Sequence, residues 1–395
     1  MTQFPPVVIV GAARTPIARY AGGFADVDAH ELGAVAVVAA LLRSQVDRDR
    51  VDEVIMGCIG QVGPDAYNAR RVALAAGLPT TATAYNVNRL CGSGLQAILN
   101  GAMQIQVGQS DVVVAGGNEN MTRQPFLVPA ARAGMKLGDR TMVDGTLSMV
   151  TDPWGNYPMG ATAENVARAH GITRVDQDAW AALSQQRAHQ AMQSGVFDDQ
   201  LTPVSVPGRG GLVTLVSSDE HPRPETTVES LGRLKPAFAA DGTVTAGNSS
   251  GINDGASAVV LMREDDARSE GLEPRSRLVG WAKGGLDPSL MGFAPSIAVE
   301  RVLKGTGMAI GDIDVIELNE AFAAQVLAVM RATGMTADQV NPHGGAIAFG
   351  HPVGATGAIL TTRLTYDLED RDLQTGMVTM CIGGGQALAA IFERC

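Results

Sequence analysis

Cysteine is scarce in this chain. Only four occur, at positions 58, 91, 381 and 395. They are too few and too widely spaced for a disulfide framework, and no Cys-x-x-Cys pair is present to hold a metal. Aromatic residues are also rare, at 4%, and charged residues make up only 18%. The longest apolar run, Leu32 to Leu42, contains Gly33 and is too short to span a bilayer. Met1-Thr2-Gln3-Phe4-Pro5-Pro6 lacks the basic and apolar regions of a signal peptide, so a reducing cytoplasm is the expected location. No basic stripe exists either: the net charge is −11 with Lys and Arg scattered, and neither nucleic acid nor membrane is an expected partner. Gly-x-Gly-x-x-Gly is missing after Val10, and Gly-Lys-Ser/Thr is missing altogether, so dinucleotide and nucleoside-triphosphate readings fail.

What the chain has in abundance is glycine. Forty-seven glycines and 45% apolar residues suit a layered α/β protein with tight turns and close backbone approaches. Val7-Val8-Ile9-Val10 predicts a buried strand, Glu31 to Ser44 a helix and Asp52 to Gly57 a second strand. A helix from about Ser93 to Val107 precedes a strand that begins at Asp111 and ends in Gly116-Gly117. From Met121 to Thr243 the character changes: prolines break the segment, and its best helix, Asp176 to Ser194, follows a capping-box-like Thr173-x-x-Asp176. Regular structure returns with strands at Ala258 to Met262 and Ile313 to Leu318, and then a helix after Asn319. Another helix opens at Gly354, and Met377 to Ile382 forms a strand that runs into Gly383-Gly384-Gly385. A glycine-flanked helix start, an apolar strand and a glycine cluster thus occur twice, a weak internal duplication. Two pseudo-symmetric halves would bring Cys91 and the 351–357 loop face to face. The expected division is 1–120 with 244–270, an inserted 121–243, and 271–395.

Cys91 stands where a polar approach meets a helix start, in Asn88-Arg89-Leu90-Cys91-Gly92-Ser93-Gly94. Free N–H groups and the helix dipole favour a thiolate there, which makes Cys91 the candidate nucleophile. His351, in the rigid Gly350-His351-Pro352-Val353-Gly354, is the candidate base. Backbone N–H groups of Cys91 and of a glycine such as Gly383 are candidate oxyanion donors. Cys381, ahead of three glycines, is a candidate proton shuttle to carbon.

These residues resemble the thiolase family. The Cys91 and Cys381 motifs, Asn319-Glu320-Ala321-Phe322 and Gly344 to Gly354 match family signatures in order, as do Met159 to Asn165 and Thr245 to Gly251. The resemblance runs from Val10 to the C-terminus. It implies an α/β protein of the thiolase fold, with a five-layered αβαβα core of two similar halves and a loop domain, assembled as a homodimer or homotetramer. Arg132 to Asp139 resembles the loop through which tetrameric members associate. The implied reaction is a ping-pong Claisen condensation of acetyl-CoA with acyl-CoA, or thiolysis of 3-ketoacyl-CoA, with coenzyme A thioesters as substrates and no bound cofactor or metal. Cys91 would carry the acyl group, His351 would deprotonate it, and Cys381 would move the α-proton. His351 with an Asn319-held water would form one oxyanion hole, and the Cys91 and Gly383 N–H groups the other. Arg223, Ser250 and Ala246 would lie along the coenzyme A path, and Met159, Ala321 and Phe322 around the reacting end. Pro158 departs from the histidine that many short-chain members carry there.

Plainer readings apply elsewhere. Cys58, Cys395, His30, His170, His189, His221 and His343 are read as structural, and Glu320 as opening a helix or holding a loop. Gly247-Asn248-Ser249-Ser250-Gly251 matches Gly-x-Ser-x-Gly in form only, because Ile252-Asn253-Asp254-Gly255 after it reads as another turn rather than a helix. A decarboxylating ketoacyl-synthase type would lack Cys381. A silent coenzyme A-binding relative would lack Cys91 or His351, and a cysteine hydrolase has no use for Cys381.

Overall fold

The computed structural model describes residues 4–395. The first third of the chain contributes β1 (Val7–Arg14), β2 (Ala18–Arg19), β3 (Glu53–Gly57), β4 (Thr83–Val87) and β5 (Val112–Asn120). Two small hairpins follow: β6 (Phe126–Leu127) pairs with β7 (Val143–Asp144), and β8 (Val204–Pro207) with β9 (Val213–Val216). The set is completed by β10 (Asn253–Arg263), β11 (Ser276–Gly285), β12 (Val315–Leu318), β13 (Thr375–Ile382) and β14 (Gln386–Arg394). The main sheet runs β12-β13-β14-β11-β1-β10-β5-β3-β4, with β2 beside β10.

Its middle is a seam, since β1 and β11 pair only through Val8–Arg277 and Ile9–Ser276. The order on either side repeats. β5 is antiparallel to β10 and parallel to β3, just as β13 is antiparallel to β14 and parallel to β12. Val340 even bridges Ile316 in parallel where β4 stands in the other half. The duplication seen as a glycine pattern is therefore a duplication of topology. The halves part at one connection. β13 turns into β14 through Gly383-Gly384-Gly385, whose last two members sit at φ +79°, whereas β5 reaches β10 only after residues 121–252.

Alternation along the strands builds the layers. Val112 and Val114 of β5 pack with Val37 and Leu41 of the helix Ala29–Ser44. Val113 and Ala115 face the other way, against Leu95 and Ile98 of the helix Ser93–Gln106. In the second half, Leu388 and Phe392 of β14 share that central layer with Leu360 and Leu364 of the helix Thr356–Asp370. Ala389 and Ile391 turn outward to Val299 and Val302 of the helix Pro295–Thr306. Helices, sheet, helices, sheet, helices: five layers result. The two central helices begin at Ser93 and Thr356, so Cys91 and His351 both lie just before a helix of the shared middle layer.

Several strands outrun their apolar runs. β1 continues through Gly11 with a bulge there, because a Cβ at Gly11 would overlap the Ala40 carbonyl of the helix packed on it. β5 continues through Gly116 and Gly117 to Asn120; side chains at these glycines would strike Ser257 and Gly354 backbone. Asn253, Asp254 and Gly255 open β10 instead of forming a turn, for their polar side chains are consumed inside: Asn253 Nδ2 donates to the Ala18 carbonyl, and Asp254 accepts from Met121 N. Beyond β5, residues 121–252 include the helices Met159–His170 and Arg174–Ser194. That segment is tied to β1 by a bidentate pair between Arg14 and Asp219 at 2.8 and 3.0 Å, both side chains 1% exposed. Removing one partner of a buried pair costs about 3–5 kcal/mol. Among the described residues no helix is long and apolar enough to cross a membrane.

Candidate active site

Cys91 sits on a strained turn. Leu90, immediately before it, adopts φ +49°, a left-handed conformation that costs a bulky residue about 1–3 kcal/mol. Ser93 braces the turn: its hydroxyl donates to the Leu90 carbonyl at 2.6 Å and accepts from Arg89 N at 2.9 Å. At Gly92 a Cβ would press on the Ile382 side chain at the end of β13. That contact brings Cys91 to the mouth of the Gly383 turn. The backbone N–H groups of Gly383 and of Cys91 itself lie near enough to the sulfur to favour its thiolate.

The expected low-pKa thiolate is not what the fold makes. Burial pushes the Cys91 thiol up to about 11, and the two N–H groups offset only part of that rise. Desolvation penalises the thiolate more than a helix start rewards it. The shift favours the thiol form of Cys91 over the thiolate.

His351, the candidate base, is held in its neutral form. Burial lowers its pKa to about 4, so the imidazole is neutral across the physiological range. Thr356 Oγ1 lies 2.6 Å from His351 Nδ1 and 3.0 Å from the Pro352 carbonyl. Its single proton goes to the carbonyl, which leaves the oxygen to accept from Nδ1–H. The Nε2 lone pair is then bare, and this atom has no partner among the described residues. The backbone is held as firmly, with His351 N donating to Asn253 Oδ1 at 3.1 Å.

Asn319 and Cys381 lie at the ends of the parallel strands β12 and β13, and Asn319 N donates to the Thr379 carbonyl at 3.0 Å. Both polar atoms of the Asn319 side chain are buried and unpartnered, a cost of about 1–3 kcal/mol that suits a residue kept for a ligand. Cys381 is fully buried, its thiol pushed well up by burial and by nearby Cys91. Around it pack Met159, Ala321 and Phe322, together with Phe238, Met291 and Val244, which the sequence reading missed. Phe238 stands edge-on to Phe322 with centroids 6.2 Å apart. Pro158 is exposed at the cap of the Met159 helix. Glu320 is consumed elsewhere: Trp180, Ser184, Asn341 and Ile347 all donate to it, so it holds the 341–347 loop.

Arg223 and Ala246 line a cavity of about 190 Å³ with Gln185, His221, Ser230 and Leu231. Ser250 is not among its lining residues but lies beside it, its N–H donating to the Ala321 carbonyl at 3.0 Å. Gln185 connects this cavity to the site, accepting from Arg223 N and donating to the Ile347 carbonyl. His221, read from sequence as structural, belongs to the cavity wall. Ser249 donates to the Thr245 carbonyl and has no histidine partner, which disposes of the hydrolase motif. Among the described residues no cluster is placed to hold a metal.

A neutral imidazole predicts a low acid limb. The base function is lost only when His351 takes a proton, so kcat/KM is expected to fall as pH drops through about 4, not 6.5. Stability moves in the same direction. The unfolded chain takes up a proton between about 6.5 and 4 that the folded site refuses, so folding stability declines as pH falls through that window. A pH–rate profile on protein verified as folded checks this; a limb near 6.5 would mean that the imidazole is solvated.

The chain is similar to known proteins over nearly its whole length. The family model for the thiolase N-terminal domain matches residues 7–265, and that for the thiolase C-terminal domain residues 272–394. A probable acetyl-CoA acyltransferase of Staphylococcus aureus (strain COL) is 47% identical over 98% of this chain and 99% of its own. The beta-ketothiolase BktB of Cupriavidus necator is also 47% identical, over 98% of this chain and 99% of its own. The Bacillus anthracis acetyl-CoA acetyltransferase structure superposes with a TM-score of 0.98 at 42% identity, over all of both chains. Human mitochondrial 3-ketoacyl-CoA thiolase in complex with CoA gives 0.95 at 42% identity, over 99% of this chain and 98% of that one.

Proposed function

The chain belongs to the thiolase family, and from that premise we propose that it is an acyl-CoA C-acyltransferase working through an acyl-Cys91 thioester. The observation that carries this reading is the pairing of two thiols, the half-buried Cys91 and the fully buried Cys381, beside the Gly383 turn. In thiolysis, His351 Nε2 takes the Cys91 proton and the sulfur attacks the 3-keto carbonyl. The bond between the α and β carbons breaks, and Cys381 gives its proton to the departing acetyl-CoA carbanion. Incoming coenzyme A returns a proton to Cys381 and attacks the thioester; Cys91 leaves and recovers its proton from His351. A thiol held protonated by burial suits this donation, and its thiolate is a correspondingly strong base for the α-proton in condensation.

The cavity beside Arg223, Ala246 and His221 is assigned to coenzyme A, and Ser250 to the path from it. The Met159, Ala321 and Phe322 cluster is assigned to the acyl end. Residues 121–243 are assigned the role of shaping both. The exposed Met135, Leu137 and Met142 of the loop between β6 and β7 support self-association as a homodimer or homotetramer.

Mixing the protein with acetoacetyl-CoA and coenzyme A tests the reading. Acetyl-CoA should form beyond one equivalent per active site only when coenzyme A is present, and protein acid-quenched without coenzyme A should carry acetyl on the Cys91 peptide. Release of free acetate without coenzyme A would make the protein a cysteine hydrolase instead.

A further inference from the structure

Glu119, at the end of β5, is fully buried, yet the reaction above gives it no task. Its carboxyl accepts from Ile59 N at 3.0 Å, from Gly60 N at 3.0 Å and from Gly354 N at 2.9 Å. The Cys58 thiol lies at 3.8 Å, and every hydrogen bond it receives comes from backbone or from this thiol, none from a cation. We propose that Glu119 is a positioning residue for His351: its carboxyl clamps the turn that carries His351 to the loop leaving β3, and so sets His351 against Cys91.

Three segments meet at this clamp. Gly354 ends the His351 turn, and a Cβ there would overlap Glu119 Oε2. Gly57, before the β3 loop, is wedged between the helix start after Cys91 and the same turn: its Cβ would lie 2.5 Å from Gly94 N and 2.7 Å from the Gly354 carbonyl. Cys58 N donates to the Val87 carbonyl at 3.1 Å, tying the loop to the strand that leads into Cys91. Asn253 holds one end of the His351 turn through His351 N, and Glu119 holds the other through Gly354 N. Packing this close around Gly57 and Gly354 leaves no slack, so the carboxyl length fixes the spacing of base and nucleophile. Burial lifts Glu119 to about 7, and its charge is one of the causes that raise the Cys91 thiol. The titratable groups that its charge reaches are Cys58 and Cys91, with Asp65 acting on Cys58.

The test combines acetoacetyl-CoA thiolysis with iodoacetamide alkylation of Cys91 across pH, read on the Cys91 peptide by mass spectrometry. Glu119→Gln keeps the volume but loses the charge and one acceptor. It is expected to lower kcat about 100-fold with KM within about threefold, and to move the alkylation midpoint to lower pH. Glu119→Asp keeps the charge but falls short, so kcat drops while the midpoint stays. Cys58→Ser should leave kcat within about threefold of the wild type. A Glu119→Gln enzyme with wild-type kcat, or a Cys58→Ser loss of equal size, would overturn the proposal. Should Glu119→Gln fail to fold, Gly354→Ala presses on the same carboxyl, and an unchanged kcat in it would overturn the proposal equally. The proposal rests on His351 being the base. A fully active His351→Ala enzyme would refute that premise, whereas an inactive one beside a normal Glu119→Gln refutes only the clamp.

Discussion

Cys381→Ser is expected to divide the reaction in two. Acetyl transfer from acetyl-CoA to Cys91 should stay within about tenfold of wild type, while condensation and thiolysis should fall about 10³-fold. The reason is local. Cys381 is fully buried in β13 opposite Ala387, and serine fits its volume without disturbing the ladder. The hydroxyl is a far weaker acid than a thiol and cannot exchange a proton with carbon at a useful rate. Cys91, His351 and the Gly383 N–H are untouched, so the thioester still forms. Rapid-quench mass spectrometry of the Cys91 peptide reads the first half, and acetoacetyl-CoA absorbance the second. A variant that still cleaves acetoacetyl-CoA at the wild-type rate would remove Cys381 from the mechanism.

His351→Ala is expected to silence both halves. A thiol lifted to about 11 is ionised in roughly one molecule in 10⁴ at pH 7, so without its base Cys91 has almost no nucleophile to offer. Acylation at neutral pH should drop by about 10³ to 10⁴. The loss should shrink as pH rises, tenfold per unit, because hydroxide replaces the imidazole as the proton acceptor. Stopped-flow acetylation between pH 7 and the alkaline limit of folding measures this. A variant with a flat pH dependence, or with wild-type acylation at pH 7, would show that the thiol ionises unaided.

This second prediction reverses an expectation drawn from the motif. A cysteine before a helix reads as an activated thiolate, and the helix is there, from Ser93 to Gln106. Burial raises the Cys91 thiol and lowers the His351 imidazole, so both lean to their neutral forms. How deeply a residue is buried depends on what other segments cover it, which spacing does not encode.

Much of the architecture was legible. Short apolar runs marked the cores of β1, β5, β10 and β13, and the capping box at Thr173 marked the helix Arg174–Ser194. The glycine clusters were legible as punctuation but misread as strand ends at Gly11 and Gly116-Gly117. There the absence of a side chain serves packing between layers rather than a turn. Asn253 and Asp254 were missed as strand residues because polar side chains at a strand start imitate a turn until their buried partners are known.

By itself, then, the sequence determined which chemical groups the protein owns and the order of the elements that carry them: two cysteines, a histidine in a glycine-flanked turn, an asparagine after a buried strand and the helices that follow. These depend on residue type and local periodicity, which are properties of neighbours in the chain. Tertiary structure alone decided the protonation of Cys91, the tautomer set by Thr356, the withdrawal of Glu320 into a loop and the grip of Glu119 on Gly354, 235 positions away. Each of those is fixed by desolvation or by a hydrogen bond between distant segments, and such energies exist only once the layers have closed.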